Sequence, residues 1–444
     1  MKKPVLGFAA PPPESPAKVN ACRPAFGEGT SLALSVIAFF FVMTSYYVLR
    51  PLRDQLVGAT GSSSLPWFYG VVLVVMLALT PVFGWLVARF PQKRVVAVSY
   101  LSFVVCLVAF IPAFVAQDRI GAKNLGVVFF VWVSVFNLFV VSLFWSYMAD
   151  IYRSMRARLV FPFIAFGGMG GALLGPLVTR LLVQRIGVPA MLVVSAVGLL
   201  LALGALLSLS PRRDGEDAGA ATESPVGGSI LGGAKAAFAQ PFLRYMAVLM
   251  LLSDGIGTLA YALVADYAKA HFVDNAARTA FYADMDLWVN GIGAALQLTL
   301  TPLILRGAGA VWAMVLPSLA NFILLAVLAW LGPVEFGLAG HAVPLIAVVM
   351  VGSRAMTYGM TKPASDSLYT RVPREARYKG KNFIETAVWR FGDLLVTTTL
   401  TAARTAGIGI ATIGVVCAGL AALATEIARR AATAPDLLPE QRDP

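Results

Sequence analysis

Charge is what this chain has least of. Only 13% of its 444 residues are Asp, Glu, Lys or Arg, 58% are hydrophobic, and the mean hydropathy is +0.77. A water-soluble domain carries about 25% charged residues, so lipid rather than water is the solvent this chain is built for. Cysteine and histidine are scarce too. Cys22, Cys106 and Cys417 are far apart and show no metal or redox spacing, and His271 and His341 fall in predicted outer loops. That argues against a metal enzyme, and neither metal nor cofactor is expected. Alternating segments of about 10 residues, the mark of a membrane barrel, are missing. So is any sizeable polar domain of the kind a receptor or scaffold would use, since the longest polar piece between apolar runs is 211–240.

What the chain does have is twelve long apolar stretches, six on each side of that polar run. They cover 30–50, 65–88, 95–116, 124–149, 159–182 and 188–210, then 242–268, 282–305, 309–331, 342–362, 383–404 and 406–428. A bilayer core of roughly 30 Å needs about 20 apolar residues per crossing. Backbone groups inside lipid must bond to one another, so each stretch is predicted to be a helix. The expected layout is a disordered cytoplasmic lead (1–28), a six-helix bundle (29–210), a cytoplasmic linker (211–241), a second six-helix bundle (242–430) and a cytoplasmic tail (431–444). A short surface helix is expected near 234–239.

The net charge of +12 suggests nucleic acid only until the charges are located. With both termini in the cytoplasm, twenty-three Lys and Arg fall on the cytoplasmic side and nine on the other. This is the positive-inside bias, which fixes orientation, and no nucleic-acid partner is expected. The basic loop from Arg371 to Lys381 exceeds what topology needs; it suits attraction of anions to the inner mouth or contact with anionic headgroups.

Ionisable residues inside spans cost about 2.5–3.5 kcal/mol each on insertion scales and usually face a polar cavity. Near mid-membrane stand Asp254, Arg354, Arg390 and Asp393. Arg354 and Tyr358 share a helix face, and Arg390 and Asp393 are spaced to pair. Toward the outer side lie Tyr46, Tyr47, Arg50, Arg53 and Asp54 in one half and Asp266, Asp284 and Asp286 in the other. Pairing of Arg50 or Arg53 with those three aspartates is expected to close an outer gate. Toward the cytoplasm lie Asp150, Lys362, Lys379, Lys381 and Glu385 as an inner set. Arg favours forked contacts to phosphate, and Trp145 and Trp389 join the tyrosines as candidate aromatic faces. Gly167, Gly171 and Gly175 recur every four residues, which reads either as a sliding contact between halves or as a static packing seam.

The loop Gly84, Arg89, Lys93, Arg94 resembles the loop between helices two and three of the major facilitator superfamily, without its usual acidic residue. Three further stretches together resemble the non-mitochondrial ATP/ADP translocases of plastids and intracellular bacteria. The first runs Arg50-Pro-Leu-Arg53-Asp54 to Leu65-Pro66-Trp67-Phe68, the second Phe144-Trp145 through Asp150 to Ala157-Arg158. The third runs Val372-Pro373 through Lys379-Gly380-Lys381 and Ile384-Glu385 to Arg390-Phe-Gly392. The resemblance implies an all-α, major-facilitator-like membrane protein of twelve helices that exchanges nucleotides. It carries forward Arg50, Arg53, Asp54, Asp150, Lys379, Lys381, Glu385 and Arg390. The family's Lys stands here as Arg53, its Lys-Glu pair as Ser365-Asp366 and its late Lys as Asp393, so cations for a triphosphate are fewer and another anion is open.

The resulting expectation is a monomeric secondary transporter of the bacterial inner membrane, not an enzyme, handling a small anionic substrate of which a nucleotide is one candidate. Its substrate set is Tyr46, Arg50, Arg53, Asp254, Arg354, Tyr358, Arg390 and Asp393. Its gates are Asp54, Asp150, Asp266, Asp284, Asp286, Lys379, Lys381 and Glu385. The competing expectation is a proton-coupled carrier or efflux pump for another metabolite or drug, with Asp254 or Asp393 carrying the proton.

Overall fold

The computed structural model describes residues 26–152, 154–209, 235, 238–338, 341–373 and 380–438. The expected lead, most of the linker with its short helix, and Lys379 lie outside the described residues.

The chain folds as twelve membrane-crossing helical segments. They are α1 (Phe26–Thr60), α2 (Leu65–Arg89), α3 (Gln92–Val115), α4 (Ala122–Ile151), α5 (Ser154–Ile186), α6 (Val188–Ser208), α7 (Pro241–His271), α8 (Asn275–Leu298), α9 (Gly309–Leu331), α10 (345–369), α11 (380–405) and α12 (Ile410–Ala432). Ten crossings are long, apolar helices, α8 among them once its continuation through Leu300–Gly307 is included. The other two, α10 and α11, are broken by π turns at Thr357–Thr361 and Ile384–Val388. They also carry Arg354, Lys362, Lys381, Glu385, Arg390 and Asp393. Single π turns inside helices collect at functional sites.

Local chemistry sets the helix ends. Pro lies in the first turn of α2, α6 and α7, where its missing N–H costs nothing. The Asp274 carboxylate accepts from the Ala277 N–H at 2.7 Å and caps α8. Two expected boundaries are corrected. First, α1 runs on to Thr60, because Pro51 removes only the bond to the Tyr47 carbonyl while its fixed φ suits a helix. Arg50, Arg53 and Asp54 therefore sit within the helix rather than at its end. Second, α12 begins at Ile410 rather than 406, because Gly407 takes φ +78° and turns the chain. A two-stranded antiparallel hairpin, β1 (Glu335–Leu338) against β2 (His341–Pro344), caps the α9–α10 connection and was not foreseen.

The glycine stripe is a seam inside the first half, not a contact between halves. A Cβ at Gly167 would lie 2.8 Å from the Val36 carbonyl and one at Gly175 2.8 Å from that of Thr44, and one at Gly171 would collide with the Phe40 carbonyl. Backbone of α5 therefore rests directly on backbone of α1, as small residues at four-residue spacing permit.

Buried apolar residues form three clusters. One fills the first bundle, from Ala38 on α1 to Leu206 on α6. A second is shared by both halves, joining Val57, Phe68 and Tyr69 to Tyr261, Tyr282 and Met285. The third, with Phe242, Tyr369 and Ala428, holds residues of the second half alone. A common core thus joins the halves at one end of the molecule, where α1 ends and α7 ends.

Candidate functional site

At that closed end, polar contacts cross between the halves. Arg50 of α1 pairs with Asp286 of α8 at 3.3 Å, both side chains buried. Tyr261 of α7 donates to Asp54 at 2.9 Å. Asp266 accepts the Ser62 N–H at 2.7 Å and pairs with Arg404 of α11, which also donates to the Ser62 hydroxyl. Gly61 just before takes φ +81°, a left-handed turn open to glycine, and so aims that N–H at Asp266. Lys269 donates to the Thr60 carbonyl at 2.9 Å, and Arg180 of α5 pairs with Asp284 at 2.8 Å. Asn290 donates to the Ala172 carbonyl, and Gln117 to Asn275.

The expected pairing between the halves is therefore met at one residue and differs at the others. Arg50 meets the acidic set as expected, at Asp286. Arg53 does not: it donates to its own neighbour Asp54 at 2.7 Å and lies 4.7 Å over the Phe130 ring. Asp266 and Asp284 go instead to Arg404 and Arg180, cations that the spacing had marked only as loop charges. Long side chains at facing helix ends choose partners by tertiary proximity, which no one-dimensional spacing encodes.

At the opposite end the picture reverses. Lys362 bridges Asp366, at 3.5 Å, and Glu385; Lys381 bridges Asp366 at 2.7 Å and Glu385 at 3.9 Å and lies over the Tyr369 ring. All these residues belong to the second half and flank the two π turns. Asp150, at the end of α4 in the first half, is exposed and makes no ion pair among the described residues. Among the described residues, no hydrogen bond or ion pair joins the halves at this end. Lys381 and Glu385 thus pair with each other and with Lys362 and Asp366 rather than with Asp150.

Between the two ends, the charged residues of mid-membrane converge. Arg390 and Asp393 pair at 3.6 Å, as their spacing predicts. Thr258 of α7 donates to Asp393 at 2.6 Å. Asp254 stands one turn before Thr258 on the same face of α7. Arg354 donates to the Tyr358 hydroxyl at 3.3 Å and has no carboxylate partner among the described residues; its buried Nε has no hydrogen-bond acceptor. Tyr46 meets Tyr47 edge to face at 5.3 Å, and Arg50 lies over the Tyr47 ring. A cavity of about 440 Å³ opens between α1, α5, α8 and α10, walled by Phe39, Tyr47, Phe166, Asn290, Gln297 and Tyr358. Trp145 is packed among Phe39, Phe144 and Phe161 instead of standing free. Sequence reasoning missed Thr258, Tyr261 and Asp366. The four-residue spacing of Asp254 and Thr258 is a signal that finds the first.

No protein-family model matches the chain, and no curated protein matches it in sequence. Its backbone is similar to solved transporters. A mutant of the nucleoside transporter NupG aligns with a TM-score of 0.59 at 17% identity, over 90% of this chain and 99% of that one. The D-xylose-proton symporter aligns at 0.63 and 12% identity, over 93% and 98%. A bacterial homologue of the human lysosomal transporter Spinster, inward-facing and unoccupied, aligns at 0.61 and 14% identity, over 91% and 97%. The chain is a multi-pass, all-α membrane protein with the twelve-helix fold of the major facilitator transporters.

Proposed function

We propose that this chain is a secondary transporter that moves a small anion across the bacterial inner membrane by alternating access, as a monomer with both termini in the cytoplasm. One observation carries the reading: the halves are bonded at one end and unbonded at the other among the described residues, with Arg354 between them lacking a carboxylate partner. On the positive-inside reading the closed end faces outward, so this conformation is inward-open.

In this reading Arg354 and Tyr358 receive the anion, with Arg50, Arg390 and Tyr46 as its further contacts. An oxyanion there satisfies buried guanidinium N–H groups, Arg50 Nε and Arg354 Nε, that have no acceptor among the described residues. Arg53 acts one step back, through Asp54. The pairs Arg50–Asp286, Asp54–Tyr261, Asp266–Arg404 and Asp284–Arg180 hold the outer gate. In the reverse swing Asp150 meets the inner cluster of Lys362, Lys381 and Glu385, with Lys379 close by in sequence. Breaking one set while making the other exchanges like for like, which keeps two states close in energy.

A nucleotide is the first cargo to test. The three stretches resembling the ATP/ADP translocases point to it, NupG is a nucleoside transporter on the same fold, and the cavity walls offer aromatic faces. The test is uptake of labelled ATP, ADP and inorganic phosphate into proteoliposomes, with and without internal nucleotide. Uptake stimulated by internal nucleotide is expected. No uptake of ATP or ADP removes the nucleotide, and uptake indifferent to Arg354→Gln removes the anion site.

A second reading, proton-coupled transport, is favoured by one observation, the buried carboxylate of Asp393 held by Thr258 of α7 and Arg390.

A further inference from the structure

Between α5 and α8 the cavity is a slot with apolar sides. Asn290 of α8 donates to the Ala172 carbonyl of α5 at 2.9 Å and marks where the two helices touch. Beyond that contact the cavity of about 440 Å³ lies between them and reaches Pro162 on α5 and Leu298 on α8. From Asn290 to Leu298 the α8 wall rises roughly 12 Å. Phe39 and Met43 of α1, Phe166 and Met169 of α5, and Val289 of α8 supply most of the remaining surface. Among the lining residues only Tyr47, Asn290, Gln297 and Tyr358 carry polar side chains, and the Asn290 amide is already given to Ala172.

Positive charge stands behind the two tyrosines of this wall. Arg354 donates to the Tyr358 hydroxyl at 3.3 Å, and Arg50 lies 5.2 Å over the Tyr47 ring. The Nε of each arginine is buried without an acceptor among the described residues. The rim is of the opposite character. Phe166 and Leu298 are 61% and 57% exposed there, an apolar edge that a cargo of matching character would cover. Met43 and Met169 are unbranched and polarizable, so the sides adapt to apolar groups of different shape. A sugar or a base edge in the slot would give up water for few partners, which is costly for a polar group.

We infer that the slot holds the apolar body of an organic anion whose charged group sits at Arg354 and Tyr358. The cargo is then amphipathic, an alkyl or aryl phosphate or carboxylate rather than an inorganic ion or a hydroxyl-rich one. The inference rests on the anion reading of Arg354 given above and narrows the cargo within it. A nucleotide meets the charged end and brings hydroxyls for which the slot has little to offer. Charge and body are read by different residues. Arg354 binds what every such anion shares, and the slot adds an attraction that grows with the apolar area it takes from water. Changes at Arg354 must therefore shift all members of a homologous series alike, and changes in the slot must shift the longer members most.

Equilibrium binding of n-alkyl phosphates, from methyl to hexyl, to the purified full chain tests it, with ribose 5-phosphate as the polar counterpart of pentyl phosphate. In the wild type affinity should rise about fourfold for each added methylene, the factor for burying one CH₂. Pentyl phosphate should bind more tightly than ribose 5-phosphate. Met169→Gln and, separately, Phe166→Asn should lose affinity in proportion to chain length, whereas Arg354→Gln should weaken every member by one common factor. A flat series, or ribose 5-phosphate binding as tightly as pentyl phosphate, overturns the amphipathic cargo; weaker binding in Arg354→Gln would then leave the anion reading standing. A rise that survives unchanged in both slot variants overturns it as well, because the chains then lie elsewhere. If no phosphate binds, or if the whole series is indifferent to Arg354→Gln, the anion reading itself fails and takes the inference with it.

Discussion

Arg50 and Asp286 meet at 3.3 Å across the boundary between the two halves, buried to 10% and 4% side-chain exposure. They come from α1 and α8, and no other ion pair among the described residues joins the halves so far from water. Such a pair draws its worth from the penalty of leaving one member alone in a low dielectric.

Asp286→Asn should therefore destabilise this conformation strongly, by about 3–5 kcal/mol, because it strands a buried guanidinium. Arg50→Gln combined with Asp286→Asn should cost less than the two single changes added together. A double-mutant cycle read by thermal unfolding in detergent checks this. Additive effects would mean that the two side chains do not interact.

Asp266 holds two groups at once, Arg404 and the Ser62 N–H just past the end of α1. Asp266→Ala should loosen the closed end. The expected outcome is faster modification of a cysteine introduced at Ser62 by an impermeant thiol reagent added outside. Labelling of a cysteine at Asp150 should slow in the same variant, since the two ends open in opposition. Unchanged labelling at both sites removes Asp266 from the gate.

The α1–α5 seam predicts a graded response. Gly171→Ala places a methyl against the Phe40 carbonyl, whereas Gly204→Ala has open space around its Cβ. Overpacking of a tight contact costs about 1–3 kcal/mol. The first variant should unfold at lower temperature than wild type, and the second should match it.

Arg354→Lys keeps the charge and loses the planar fork. For whichever of ATP, ADP or phosphate the wild type takes up, Lys should bind more weakly and Gln more weakly still. Loss of a hydrogen bond to a charged group is worth about 1.5–3 kcal/mol, or roughly 10- to 150-fold in affinity. Equilibrium binding to the purified protein measures it.

The chain's hydropathy was enough to announce twelve crossings, because a backbone in lipid has only helices to choose from here and each crossing demands its quota of apolar residues. The pairing of Arg390 with Asp393 was also legible, being local to one helix face. So was the gathering of charged residues at mid-membrane, since isolated charges in lipid are too costly to leave scattered. The π turns at Thr357–Thr361 and Ile384–Val388 carry no such signature.

Tertiary structure alone decided the partners of these charges: Asp284 with Arg180 and Asp54 with Tyr261 across the boundary, and Asp266 with Arg404 inside the second half. Each joins helices distant in sequence, so its geometry depends on how whole bundles dock rather than on any local period. The same holds for the glycine stripe of α5, whose spacing declared a close contact without naming α1 as the neighbour. Composition and period determined that this protein lies in lipid as paired helical bundles with charge at their centre. Only the packed bundles determined which of the four mid-membrane arginines meet a carboxylate, and that Arg354, among the described residues, does not.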